Sequence, residues 1–376
     1  MENPHDFPAD LQAALGEHLA RQAINRYPSP EVYERLKTAI RQHDHLAADK
    51  SVVLGNGSDE LIAMLCMMMA QPGAVVMAPA PSFVMYQVSA QLNGMSFVPV
   101  PLKADFSLDR AAMLDAIVRH KPSLIFLAYP NNPTGNLFDD ADIEAILRAS
   151  DGLVVVDEAY APFAGGASWM SRVGDWPNLA VMRTCSKWGL AGARIGYLVA
   201  DAAWAGELEK VRPPYNISVL DAETALFALA HWPQFKAQTE AITADRASLQ
   251  RELATLIGPD GLAEVFGSET NFVLVRVAGG AAASPDGRVG PEAVATNDAR
   301  AGQDAVAMPE ARRGQEALAV RAEQVAADMR AAGVLIKAVS KMHPMLAGCL
   351  RLTVGTPEEN RAMVAALTKA LGMPPI

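Results

Sequence analysis

The chain has 376 residues, 51% of them hydrophobic and 20% charged, with a formal net charge of −10. That length and apolar content allow a large core and two domains or subdomains. The acidic balance excludes a general nucleic-acid binder, which needs a basic face to neutralise phosphates. The longest apolar run, Leu61 to Ala70, falls short of the ~18 residues of a membrane span.

Cys66, Cys185 and Cys349 are widely spaced and form no C-x-x-C pair, which predicts reduced thiols, no disulfide framework and no metal site. No basic stretch followed by an apolar one opens the chain, so no secretory signal is expected and the cytoplasm is the expected compartment.

Ala9 to Ala20 is amphipathic, and Arg26-Tyr-Pro-Ser-Pro30 follows as an extended connector, because a proline disfavours helix at the residue before it. Val32, Leu36 and Ile40 then recur at helical spacing. Ser51 to Leu54 reads as a strand, and Gly55-Asn-Gly-Ser-Asp-Glu60 opens an apolar helix that Ser58 can cap. This segment is either a plain capped start or an anion site, since a helix N-terminus offers free N–H groups and positive potential.

Strands follow at 74–78, 96–100 and 123–128, separated by helices over 84–92 and 108–119. Phe83, in the loop beyond the first of these strands, either packs in the core or stacks on a planar ligand. The loop Tyr129-Pro-Asn-Asn-Pro-Thr-Gly135 is dense in turn formers, and its Asn132 can point back over a strand end. After a helix over 139–149, the run Leu153-Val-Val-Val156 reads as a buried parallel strand and closes on Asp157, which is either a helix cap or a buried acid needing a partner.

Another apolar run, Leu179 to Met182, leads into Arg183-Thr-Cys-Ser-Lys-Trp-Gly-Leu-Ala-Gly-Ala-Arg194. Lys187 in such a turn can aim its amine inward, where a Schiff-base lysine would sit. Asn132, Asp157 and Lys187 therefore crowd the carboxyl edge of one mostly parallel α/β sheet, the edge where such sheets bind ligands. No G-x-G-x-x-G follows the first strand, which disfavours a dinucleotide. A lysine for an aldehyde, an acid for a ring nitrogen, donors for a ring oxygen and an anion cradle together fit pyridoxal phosphate.

With these residues in place, the sequence resembles the fold-type I, aspartate-aminotransferase-like family of pyridoxal-phosphate enzymes, and within it the histidinol-phosphate aminotransferase branch. Segments matching in family order are Glu2-Asn-Pro4, Arg26-Tyr-Pro28, Gly55 to Glu60, Pro81-Ser-Phe83 with Tyr86, Asn131 to Gly135, Asp157 to Tyr160, Thr184 to Gly196, and Cys349 to Thr356. The resemblance implies a mostly parallel seven-stranded sheet in a large domain, a smaller α+β domain and a homodimer. It also implies exchange of an amino group between histidinol phosphate and 2-oxoglutarate or glutamate. Neighbouring branches, aromatic aminotransferases and threonine-phosphate decarboxylases, share the cofactor cradle. A regulator built on the same domain would need a DNA-binding domain, for which no room is expected before Tyr27.

By the same resemblance Lys187 is the Schiff-base lysine and proton shuttle, Asp157 pairs with the ring nitrogen, and Asn132 and Tyr160 donate to the ring oxygen. Phe83 is the stacking aromatic; Gly57, Ser58, Asp59, Ser186 and Arg194 hold the phosphate, and Tyr27 reaches it from the other subunit. Arg351 binds the substrate carboxylate as a fork, and Asn3 falls in a matching segment on the substrate side. Two departures stand out. The chain opens directly on the segment around Asn3, where members usually carry a further arm, and Lys337 occupies the place of a second substrate arginine.

The expected large domain spans 31–225, and the small one combines 1–30 with 226–376. Residues 279–318 have no Phe, Tyr, Trp or Ile and are rich in Ala, Gly, Pro, Asp and Arg, which predicts a disordered insertion.

Overall fold

The computed structural model describes residues 3–279 and 310–374. By packing, the chain divides into two units: Met1–Ser248 with Gly267–Val273 and Thr353–Pro357, and Leu249–Phe266 with Leu274–Leu352 and Glu358–Ile376.

The first unit begins with helices α1 (Ala9–Ala20) and α2 (Pro30–His43), strand β1 (Ser51–Asn56) and helix α3 (Gly57–Met69). It continues through β2 (Val75–Ala80), α4 (Met85–Leu92), β3 (Ser96–Pro101), α5 (Arg110–His120), β4 (Leu124–Ala128), α6 (Asp140–Ala149) and β5 (Leu153–Asp157). Then come β6 (Leu179–Thr184), β7 (Ile195–Ala200), α7 (Ala202–Val211), α8 (Val219–Ala230) and α9 (Trp232–Ala254), whose last turns enter the second unit. The second unit adds β8 (Leu262–Val265), β9 (Phe272–Val277), α10 (Glu310–Ala331), β10 (Lys337–Ala338), β11 (Cys349–Thr353) and α11 (Pro357–Ala370), of which Phe272, Val273, Thr353 and Pro357 fall in the first.

Seven strands form one sheet in the order β1-β7-β6-β5-β4-β2-β3. All neighbours from β6 to β3 are parallel, while β7 runs antiparallel to both β1 and β6. Both faces are covered, as a parallel sheet requires. Val155, Phe126 and Met182 pack with Leu61, Leu65 and Tyr86 in one core cluster, and the alternate residues Val154, Val156, Ile125 and Val181 are equally buried. Each fully buried aliphatic side chain here contributes about 1.5–3 kcal/mol.

Helix starts are specified locally. Asp109, Asp139, Asp201 and Ser218 accept hydrogen bonds from first-turn N–H groups of α5, α6, α7 and α8. At α3 the cap is Asn56 rather than Ser58, and the Glu60 carboxylate reaches back to accept the Asn56 N–H at 2.6 Å.

In the second unit a four-stranded sheet runs β10-β11-β9-β8. The β10–β11 pairing sets Lys337 directly across from Arg351, so both side chains leave the same face.

The first unit differs from the expected 31–225 domain. Residues 3–30 and 226–248 belong to it, because α1 packs on α8 and Asn3 Nδ2 donates to Gln238 Oε1 at 3.0 Å. The segment expected to be disordered over 279–318 is helical from Glu310 onward, where Ala, Glu, Arg and Gln favour helix despite the lack of aromatic residues. Residues 280–309 of that segment lie outside the described residues.

Beneath the carboxyl edge, Arg183 on β6 joins Glu158 (2.8 Å), Asp44 (2.5 Å) and Ser168 (2.9 Å), and Tyr197 on β7 donates to Asp44 at 2.8 Å. Both carboxylates are almost fully buried. Arg183→Met strands them without their cation, and equilibrium denaturation should register a loss of about 3–5 kcal/mol. A loss below about 1 kcal/mol, the range of an exposed pair, would contradict this reading of the network.

Candidate active site

Parallel register brings the site together. Ala128 at the end of β4, Asp157 at the end of β5 and Met182 on β6 stand level with one another. The chain leaving each strand at that edge carries Asn132, Tyr160 and Lys187, and these line one cavity of ≈180 Å³ with Asp157.

Lys187 ends a 3₁₀ turn, Cys185–Lys187, whose start is fixed by the Thr184 hydroxyl accepting the Ser186 N–H at 3.2 Å. Its ammonium stands 5.6 Å from the Tyr160 ring centroid. Tyr160 packs edge-on against Phe272 at 5.3 Å, which fixes its ring. Asn131, buried beside Asn132, ties the loop down: its amide donates to the Pro81 carbonyl and the Thr134 hydroxyl, and its oxygen accepts from Ser82.

Asp157 is 5% exposed. One carboxylate oxygen accepts the Tyr86 hydroxyl at 2.7 Å and the other the Ala159 N–H at 3.1 Å. Burial pushes its pKa up to about 6; the Tyr86 and Ala159 donors oppose that shift, Asp59 adds to it, and Lys187 opposes it more weakly.

At the cavity's other end, the first turn of α3 contributes Ser58 and Asp59, and Ser186 and Arg194 approach from the β6–β7 connection. Gly57 has φ +78°, and a Cβ there would come within 2.5 Å of Arg194 Nη2. On β7 a Cβ at Gly196 would stand 2.8 Å from the Ser58 nitrogen. The two glycines thus let the helix N-terminus and a guanidinium meet, an arrangement suited to an anion.

The class I and II aminotransferase profile matches residues 2–367. The chain belongs to this family. Among similar aminotransferases, histidinol-phosphate aminotransferase 2 of Cupriavidus pinatubonensis is 47% identical over 376 residues, covering 99% of this chain and 90% of the relative. The histidinol-phosphate aminotransferase of Methylibium petroleiphilum is 48% identical over 370 residues, covering 98% and 87%. The crystal structure of histidinol-phosphate aminotransferase from Sinorhizobium meliloti in complex with pyridoxal-5'-phosphate superposes with a TM-score of 0.78 at 25% identity, covering 99% of this chain and 89% of that one.

In this aminotransferase the cavity brings together Ser58, Asp59, Phe83, Asn132, Asp157, Tyr160, Ser186, Lys187 and Arg194. Gly57 stands behind Arg194 rather than on the lining. Asn3 and Tyr27 are also off the lining: Asn3 is held by Gln238, and Tyr27, 77% exposed, stacks on Tyr215 at 4.4 Å. Arg351 and Lys337 belong to the second unit. Tyr86, which enters the sequence reading only through the segment around Phe83, lines the cavity and touches Asp157. Its signal, a tyrosine on an amphipathic helix, is indistinguishable in sequence from a core aromatic.

The raised Asp157 pKa has a direct consequence for stability. The folded state holds this proton more tightly than the unfolded chain, so the site's penalty is absent below about pH 4, grows through pH 6 and is complete above it. In the ligand-free protein Asp157→Asn should therefore raise the unfolding free energy at pH 8 by about 1–3 kcal/mol. The gain should shrink as the pH falls from 6 towards 4; a variant less stable than the parent at pH 8 would contradict the assignment.

Proposed function

We propose that this aminotransferase moves the amino group of histidinol phosphate to 2-oxoglutarate, with pyridoxal phosphate as its cofactor. The observation that carries the reaction type is the convergence of a lysine, a buried carboxylate, an amide and a phenol on one cavity that ends in a glycine-built anion cradle. Identity of 47% over the whole chain to a histidinol-phosphate aminotransferase supports the substrate.

The donor set fits the cofactor. Pyridoxal phosphate supplies an aldehyde that condenses with amines and a ring that withdraws electrons from the carbon beside the nitrogen. Asp157, ionised, would hold a proton at the ring nitrogen, and Asn132 and Tyr160 would donate to the ring oxygen. Phe83 would stack on the ring, and Ser58, Ser186, Arg194 and the N–H groups following Gly57 would take the phosphate, with Asp59 3.7 Å from Arg194. Lys187 would hold the aldehyde, and its amine would remove and return the proton at the substrate carbon.

Arg351 is assigned to the glutamate carboxylate in one half-reaction and the substrate phosphate in the other, with Lys337 adding charge and Asn3 completing the substrate side. The β10–β11 register sets Lys337 and Arg351 on one face of the strand pair, which supports their taking one anion together. We assign the protein to a homodimer in the cytoplasm. Buried, unpaired cysteines accord with a reducing compartment. The exposed Tyr27 and Ile24 accord with a covering partner to which Tyr27 is donated.

Mixing histidinol phosphate, phenylalanine or threonine phosphate separately with the holoenzyme and following the cofactor spectrum tests the substrate. Histidinol phosphate should convert the cofactor to its amine form faster than phenylalanine does, and threonine phosphate should release no carbon dioxide. Faster conversion by phenylalanine would move the assignment to aromatic amino acids, and carbon dioxide release would move it to a decarboxylase. Arg351→Ala should weaken both half-reactions by about 1.5–3 kcal/mol each. For the homodimer, mixed Tyr27→Phe and Lys187→Ala subunits should regain activity that neither has alone; a fully active monomer on a sizing column would contradict it.

A further inference from the structure

Asp157 does not choose its own orientation. Its two oxygens are each engaged by a donor from a different part of the fold, the Tyr86 hydroxyl from α4 and the Ala159 N–H from the turn after β5. Two donors on two oxygens fix the carboxylate plane and leave its remaining lone pairs to the cavity.

The Tyr86 ring is itself closely packed. It is fully buried, lies parallel to Phe126 on β4 with 4.5 Å between centroids and 2° between planes, and meets Phe83 edge-on at 5.7 Å. Phe126 stands in register with Val155 on β5, two residues before Asp157. The phenol is thus referenced to the same sheet that carries the carboxylate. Burial, followed by the charge of Asp157, raises the Tyr86 pKa well above its ordinary value, so the hydroxyl remains a donor.

We propose that Tyr86 is a positioning residue that orients the Asp157 carboxylate and keeps it ionised for the ring nitrogen of the cofactor. The inference rests on the cavity being the pyridoxal-phosphate site. A donor lost from Asp157 leaves burial to set its protonation, and a neutral carboxyl no longer holds a proton on the ring nitrogen against solvent.

The test compares equilibrium binding of pyridoxal phosphate and of its carbocyclic analogue, with C–H in place of the ring nitrogen, to the cofactor-free protein. Tyr86→Phe keeps the ring stack and removes only the hydroxyl. It should weaken pyridoxal phosphate by about 10- to 100-fold, the range for one hydrogen bond to a charged group, and leave the analogue within about twofold of the parent. The acid limb of the binding profile should also move to higher pH. In an Asp157→Asn background the same substitution should change pyridoxal-phosphate affinity by less than about twofold, because the group it acts through is gone. Equal weakening of both probes, no weakening of either, or an undiminished effect in the Asp157→Asn background would overturn the proposal. If Tyr86→Phe does not fold, Tyr86→Met, which also lacks the hydroxyl, decides by the same comparison. A parent protein that binds neither probe would instead overturn the cofactor reading beneath it.

Discussion

A carboxylate buried at the end of a central parallel strand is the constraint around which this site is built. Asp157 is carried there by Leu153 to Val156, a run apolar on both faces because helices cover both sides of the sheet. Ionising an acid in such a place is costly, and burial shifts its pKa towards the neutral form. Three neighbours work in the opposite direction, the Tyr86 hydroxyl, the Ala159 N–H and the Lys187 charge, while Asp59 adds to the shift. The next residue, Glu158, points into the network of Arg183 and Asp44. Two adjacent carboxylates at one strand end thus have separate partners, one serving the cavity and the other anchoring the strands beneath it.

The anion cradle solves a different problem, that of bringing a helix N-terminus and a guanidinium into one small volume. Gly57 and Gly196 supply the space, since a side chain at either would collide with Arg194 or with the start of α3. In the second unit the β10–β11 register sets Lys337 and Arg351 across from one another. A substrate bearing a phosphate, exchanged against a dicarboxylic acid, accords with cationic groups of both kinds.

Much of this was legible in the sequence because parallel βαβ units write themselves plainly. Apolar runs of strand length end on Ala128, Asp157 and Thr184, and polar residues follow each one. Where the sequence was silent, packing had overruled local pattern. Strand β8 has exposed Ala263 and Glu264 in its middle and no apolar alternation. The first unit runs on to Ser248 because α9 continues uninterrupted through the boundary, and a helix carries no mark of where its packing partner changes. Residues 310–317 lack large apolar groups yet form the start of a helix. Tyr86 was hidden because a hydroxyl's partner, distant in sequence, leaves no trace in helical periodicity.

The central claim is that Lys187 is the amine which takes the cofactor's aldehyde. Borohydride fixes a carbonyl compound to the amine with which it has condensed, so reduction of the holoenzyme followed by peptide mapping identifies that amine directly. The account predicts a single modified peptide bearing pyridoxyl phosphate on Lys187, and none from the Lys187→Ala protein. Modification of another lysine, or an unmodified Lys187 in protein that retains the cofactor, would contradict it.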